Sequence, residues 1–375
     1  MTKASPISPT IPLDRDGIHH GFLKLPYSRD DSAWGAVMIP ITVIRNGDGP
    51  TALLTGGNHG DEYEGLVSLF KLAGSLTPAD VTGRVIILPA MNYPAFRNAS
   101  RTSPIDAGNM NRSYPGKPDG TVTQKIADYV LRYLVPEADI VLDIHSGGKT
   151  LDFIPFAAAH VLPDKQQEAR CVAAMNAFGA PYSMMMLELD AVGMFDTVVE
   201  EAGKTFVTTE LGGGGSTTAE RMAIADRGVR NILIHAGIVG GEIEAAPNGT
   251  AMLDMPGDDC FVASQDSGLF EPCVDLGDMV KKGDLIARIY DVECTGTAPR
   301  EYHASRDGIL SCRHFPGLIK MGDCLAVIAK PMLGTPETPR RPWRDFGLSR
   351  PYQSGKTGQT NLGADRSHPA PSSAR

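Results

Sequence analysis

The sequence predicts an α/β fold, a mixed sheet between helical layers, followed by a smaller C-terminal all-β region. Three observations carry this expectation. Short apolar strands alternate with segments of helical periodicity through the first 250 residues, the pattern of a sheet covered on both faces. Chemistry-bearing polar residues collect where the central strands end, after Thr55, Ile144 and Thr209. From about residue 252 the texture changes to short alternating strands punctuated by Gly-Asp turns.

Each element follows from its residues. "HHGFLKLPY" and "GAVMIPITVIRNG" read as two extended segments separated by the turn-rich "SRDDSAW", and "TALLTGG" as a short buried strand. "EYEGLVSLFKLAGSL" has apolar residues at helical spacing and ends near Gly74. "GRVIILPAMN" is an apolar strand of the kind covered on both faces. Residues 94 to 120 show little periodicity, and so long a connection is commonly functional. "TVTQKIADYVLRYLV" is helical with Thr121 as N-cap, and "ADIVLDIHSGG" is a central strand carrying His145 at its end. Helices around 165 to 178 and 193 to 203, a strand in "KTFVTTELGGGG" and a last helix over 217 to 239 complete a first domain spanning 1–250.

A second domain spans 251–330. Its two halves, "DSGLFEPCVDLGDMVKKGDLIARIYDV" and "SRDGILSCRHFPGLIKMGDCLAVIAK", resemble each other and the small β-sandwich of lipoyl and biotinyl carriers. Lys281-Lys282 lacks a carrier's flanking motif and reads as solvated. Residues 331–375, rich in Pro, Ser, Gly and Arg without an apolar pattern, are expected to be a disordered tail.

Composition narrows the function. The chain has 375 residues, 42% hydrophobic and 21% charged, with a net charge of −9, which argues against a dominant basic groove for nucleic acid. No apolar run reaches the roughly 18 residues a membrane-spanning helix needs, so no membrane partner is expected. The N-terminal "MTKASPISPTIPLDRDG" lacks the apolar core of a signal peptide, making the cytoplasm the expected location. The six scattered cysteines form no Cys-x-x-Cys pair and are expected to be reduced and buried.

The stretch "LLTGGNHGDEYEG" leaves a strand, crosses two glycines and delivers His59, Asp61, Glu62 and Glu64. A solvated turn is the plain explanation; half of a metal site is the sharper one. Zinc in a hydrolase takes three protein ligands and keeps one position open. His59 and Glu62 lie one helical turn apart, and "DIHSG" offers His145 as the third ligand. Asp143, two residues earlier, is a candidate acceptor for that imidazole, with local packing as the alternative. "VTTELGGGG" sets Glu210 on an otherwise apolar strand, where a carboxylate is costly unless paired or functional. Near a metal it would act as general base, then as proton donor to a leaving amine. The long loop adds Arg101, placed to stabilise an oxyanion, and Asn111-Arg112, an amide and a guanidinium fork suited to a carboxylate.

"GGNHGDEYEG", "NMNRSYPG", "DIHSGG" and "TTELGGGG", in this order, resemble the succinylglutamate desuccinylase/aspartoacylase family of zinc carboxypeptidase-like hydrolases over roughly residues 18 to 330. The resemblance implies one Zn2+ per chain on His59, Glu62 and His145. It implies Glu210 as base and acid, Arg101 at the oxyanion, and Asn111 with Arg112 on the substrate α-carboxylate. "SRTSPIDAGNMNRSYPG", "LELDAVGMFDT" and "HFPGLIKMGD" look like the members that deacetylate a diamino acid, while the C-terminal region departs from aspartoacylase itself. The partner implied is a small N-acyl amino acid. A side-chain ammonium on it would call for an acidic residue, and Glu188 and Asp190 precede the Glu210 strand; Asp190 is the preferred candidate. The alternatives are a desuccinylase or aspartoacylase acting on a dicarboxylic amino acid, a zinc carboxypeptidase, and a binding module that has lost its metal. The assembly is left open, a homodimer being the one considered.

Overall fold

The computed structural model describes residues 3–332; the expected tail lies outside the described residues, apart from its first two positions. The N-terminal strands β1 (Ser8–Pro9), β2 (Gly17–Pro26) and β3 (Ala36–Asn46) pair antiparallel. A β-α-β unit follows: β4 (Thr51–Gly56), α1 (Tyr63–Ser75) and β5 (Gly83–Leu88), with β4 and β5 parallel. The long loop contains a short helix, α2 (Tyr93–Arg97), and leads into α3 (Val122–Tyr129) and the central strand β6 (Ile140–His145).

Next come β7 (Leu151–Phe153), β8 (Phe156–Ala159), α4 (Lys165–Phe178), β9 (Tyr182–Met185), α5 (Phe195–Glu201), β10 (Thr205–Glu210) and α6 (Ala219–His235). The sheet runs β2-β3-β5-β4-β6-β10-β8-β9, and its centre, β5-β4-β6-β10, is parallel.

Alternation along the strands sorts two cores onto the two faces. Leu54, Ile87, Leu142 and Val207 face α1, α4 and α6, packing on Leu69, Met175, Phe178 and Ile232. Their neighbours Leu53, Ile86, Val141 and Phe206 face the other way, onto Ile126 of α3 and Phe195 and Val199 of α5. Helical layers therefore cover both faces of the sheet.

Thr121 caps α3 as its sequence suggests, accepting the Gln124 N–H in a capping box. The helical periodicity through Val135 is not one α-helix, however. After Tyr129 it widens into a π turn over Val130–Leu134 and then tightens into a 3-10 turn. Pro136 lacks the N–H that the α ladder would need there, so the ladder is rearranged before it. The short strands β7, β8 and β9 have no counterpart in the sequence expectation.

The C-terminal region consists of β11 (Ala251–Asp254), β12 (Phe261–Ala263), β13 (Gly268–Pro272), β14 (Met279–Val280), β15 (Leu285–Tyr290), β16 (Arg300–His303), β17 (Gly308–His314), β18 (Leu318–Ile319) and β19 (Cys324–Pro331). Its repeated halves exchange short strands: β13 of the first pairs with β18 of the second, and β14 of the first with β17 of the second. A separate four-stranded sheet, β16-β15-β13-β18, lies in this region. The main sheet does not stop at residue 250, because β11 runs parallel to β9 and pairs on its other side with β19. β7, just beyond His145, also pairs with β17. All six cysteines are unbridged; Cys171, Cys260 and Cys312 are buried, whereas Cys294 is exposed.

Candidate active site

Three adjacent parallel strands deliver the site. In register, Gly56 of β4 lies opposite Ile144 of β6, and His145 of β6 opposite Glu210 of β10. Beyond β4 the chain turns at Gly57, whose φ of +61° an L side chain rarely adopts. His59 then faces Glu62, the N-cap of α1. The helix starts against the end of β6, where a Cβ on Gly65 would lie 2.8 Å from that of Ile144. Only glycine lets α1 approach closely enough for Glu62 to reach His145.

His59, Glu62 and His145 are all buried, and their ligand atoms lie within 4.8 Å of one another. Glu62 bridges the two rings: Oε1 is 2.7 Å from His59 Nδ1, and Oε2 is 2.9 Å from His145 Nδ1. Oε2 also accepts the Ser146 N–H at 3.2 Å. Each imidazole has an acceptor on its far side. His145 Nε2 lies 2.8 Å from Asp143 Oδ2, and His59 Nε2 lies 3.2 Å from Asn109 Oδ1. An acceptor at Nε2 selects the tautomer whose Nδ1 is free to ligate, as metal-binding histidines require. The donor set therefore fits a metal ion that takes nitrogen and carboxylate ligands.

Asp143 is itself held firmly. Thr55 donates to Oδ1 at 2.6 Å and Asn58 to Oδ2 at 3.0 Å. Replacing Asp143 with Asn should preserve this packing yet weaken the acceptor for His145, lowering metal affinity about 10- to 100-fold. Competition against a chelator measures the loss; wild-type affinity would reduce Asp143 to a packing role.

The electrostatics follow from burial and proximity. Burial pushes the His59 imidazole down and Arg101 adds to this, against the pull of Glu62. Burial also opposes the charge on His145, but the carboxylates of Asp143 and Glu62 outweigh it and hold the imidazole well above its usual range. Glu62 would likewise be raised by burial, yet the two histidines keep it below the carboxylate range. Glu210 goes the other way: burial, reinforced by the negative charge of Glu62, holds its carboxyl well above the usual value. Its Oε2 is shielded from solvent and has no hydrogen-bond partner.

The loop residues surround this centre. Arg101 Nη1 lies 3.5 Å from Glu62 Oε1 and 3.3 Å from His59 Nδ1, with nearly half of the side chain in solvent. Asn111 is buried, its amide oxygen accepting from Phe195 N–H at 2.8 Å and from Asn58 at 3.3 Å. That use of the oxygen orients the amide and leaves the NH2 end to act as donor. Arg112 donates to the Asn111 carbonyl at 2.6 Å, and its Nε is 3.6 Å from Asp190. Asp190 lies on the connection to α5 with 63% of its side chain exposed.

Two carboxylates of the "HGDEYE" run stand outside the ligand set. Asp61 accepts the Lys149 N–H at 2.9 Å, and burial raises the Glu64 carboxyl, whose two oxygens are shielded from solvent without a hydrogen-bond partner. Thr55, Asn58 and Asn109 are contributors the sequence reading missed. The only hint was the position of Asn58 beside His59 in the glycine turn.

Comparison with known proteins gives the family. Residues 48–236 match the succinylglutamate desuccinylase/aspartoacylase catalytic domain, and the chain belongs to that family. It is 58% identical over 328 residues to the N-alpha-acetyl-L-2,4-diaminobutyric acid deacetylase of Halomonas elongata, covering 88% of this chain and 96% of that one. Among solved structures, it is similar to the product-bound ectoine utilization protein EutE (DoeB) of Ruegeria pomeroyi. The TM-score is 0.86 and the identity 65%, over 88% of this chain and 99% of that one. A succinylglutamate desuccinylase structure from Silicibacter sp. TM1040 has the same TM-score of 0.86 at 63% identity, over 88% of this chain and 100% of that one. Among the described residues, no helix is long and apolar enough to cross a membrane.

Proposed function

We propose that the chain is a zinc-dependent amidohydrolase of the cytoplasm. It would remove the acetyl group from N-α-acetyl-L-2,4-diaminobutyrate, releasing acetate and diaminobutyrate in ectoine breakdown. One observation carries the chemistry: a buried His59–Glu62–His145 set with the unpartnered Glu210 carboxyl on the adjacent strand. The substrate is supported by the activity named for the Halomonas relative and the pathway named for the Ruegeria structure.

Zinc on His59 Nδ1, Glu62 and His145 Nδ1 would supply Lewis acidity, acidifying the attacking water and polarising the acetyl carbonyl. Glu210 takes a proton from that water as its oxygen bonds to the acetyl carbon. The same carboxyl returns the proton to the α-nitrogen as the C–N bond breaks, so acetate and a free amine leave. Burial makes the Glu210 carboxylate a stronger base than a solvated one, which favours the first of these transfers. Arg101, at the mouth of the site, steadies the negative charge that develops on the carbonyl oxygen. Arg112 and the NH2 end of Asn111 grip the α-carboxylate, which fixes the acetyl group relative to Glu210.

A panel of N-acyl amino acids, with released amine as the readout, tests this assignment. N-α-acetyl-diaminobutyrate should be cleaved far faster than N-acetyl-aspartate or N-succinyl-glutamate. Preference for the dicarboxylic substrates would overturn the deacetylase reading while leaving the hydrolytic mechanism intact.

A further inference from the structure

We infer that Glu188, Asp196 and His160 form the subsite for the substrate's side-chain ammonium, with Glu188 as the residue that selects it. This inference rests on the deacetylase reading and identifies what distinguishes a diamino acid from a dicarboxylic one.

The three residues come from different elements: His160 follows β8, Glu188 lies on the connection between β9 and α5, and Asp196 sits in the first turn of α5. Their ligating atoms nevertheless lie within 4.8 Å of one another. Asp196 is buried, and the Glu188 side chain is 20% exposed.

The charges do not balance. His160 Nδ1 pairs with Glu200 at 2.9 Å, which accounts for one carboxylate. Glu188 and Asp196 remain, and among the described residues no lysine or arginine forms an ion pair with either. Independently, His160 Nε2 is shielded from solvent and lacks a hydrogen-bond partner, standing 3.8 Å from Glu188 Oε1. That separation is too long for a direct hydrogen bond and leaves Glu188 able to turn its carboxylate toward a ligand. A surplus of negative charge beside an unfinished polar contact calls for a small cation with several donors.

The pocket is placed for the side chain of a substrate held at its α-carboxylate. Asn111 accepts the N–H of Phe195, and Asp196 is the next residue. Glu188 is near enough that its charge contributes to raising Glu210. The subsite therefore lies between the carboxylate grip and the proton-transfer group, as a side-chain amine a few bonds from the reacting nitrogen demands.

Burial lowers the His160 imidazole, but Glu188 and Glu200 outweigh this and push it up to about 10. Asp190, the candidate favoured by sequence, already faces Arg112 and is mostly solvated, which removes it from this pocket.

The test compares N-α-acetyl-diaminobutyrate with N-α-acetyl-2-aminobutyrate, which lacks only the ammonium, using zinc-loaded protein. Wild type should strongly prefer the cationic substrate. Glu188→Gln should reduce kcat/KM for it about 10- to 100-fold, mainly through KM, and affect the neutral analogue far less. Asp196→Asn should narrow the preference in the same sense, while Glu188→Lys should reverse it. An equal loss on both substrates would overturn the subsite, as would a second metal equivalent per chain that Glu188→Gln removes. Wild type that cleaves neither acetyl substrate would instead sink the deacetylase reading, and the subsite with it.

Discussion

Glu210→Gln is expected to lower kcat by at least about two orders of magnitude while metal content and fold stay near wild type. The amide has the shape of the carboxyl but cannot accept the proton of the attacking water. The fold should tolerate the change because Oε2 makes no hydrogen bond that the amide would break. Metal binding should persist because Glu210 is outside the His59–Glu62–His145 set. Steady-state kinetics and metal analysis of the same preparation separate the two effects. A variant that kept most of its kcat would remove Glu210 from the chemistry. One that lost its metal would show that the carboxyl is a ligand.

His145→Ala should abolish both metal binding and activity, with His59→Ala behaving alike. Glu62 spans the two imidazoles with its two oxygens, so loss of either ring leaves a buried carboxylate half unpaired as well as removing a ligand. The sign of the pH dependence follows from His145. Its raised pKa means that the metal-free imidazole is protonated around neutrality, and a ligating Nδ1 must give up that proton. Metal uptake should therefore release a proton and weaken as pH falls. Calorimetry in buffers of different ionisation enthalpy reads the proton directly. Full activity in a demonstrably metal-free sample would refute the metal assignment.

The parts of this site that the sequence made legible are those whose geometry is local or set by one strand end. His59 and Glu62 are three residues apart across a glycine turn, and His145 and Asp143 point to one face of β6 because strand side chains alternate. Glu210 stood out as a carboxylate on an apolar strand.

What stayed hidden depends on long-range pairing. Asn109 reaches His59 across 50 residues, and Asn58 reaches Asp143 across 85. Loop amides carry no periodicity that would announce such contacts. His160, Glu188 and Asp196 meet only because β8, β9 and β10 are folded together, so spacing alone could not bring them into one cluster. The same holds for the fold. The helices and central strands were readable from apolar period, but strands of three or four residues such as β7 and β9 exist because of the partners they find.

That pairing of β7 gives the catalytic loop a mechanical support. The Phe153 N–H reaches the Gly212 carbonyl at 3.1 Å, and the Gly214 N–H reaches the Leu151 carbonyl at 3.0 Å, so the glycines after Glu210 rest on β7. β7 in turn is stitched to β17, and the Phe315 N–H bonds the Thr150 carbonyl at 2.9 Å. A glycine run is otherwise the most pliant backbone available. Here its stiffness is borrowed from strands a hundred residues downstream, so a lesion in the C-terminal β region can detune proton transfer without touching a residue of the site.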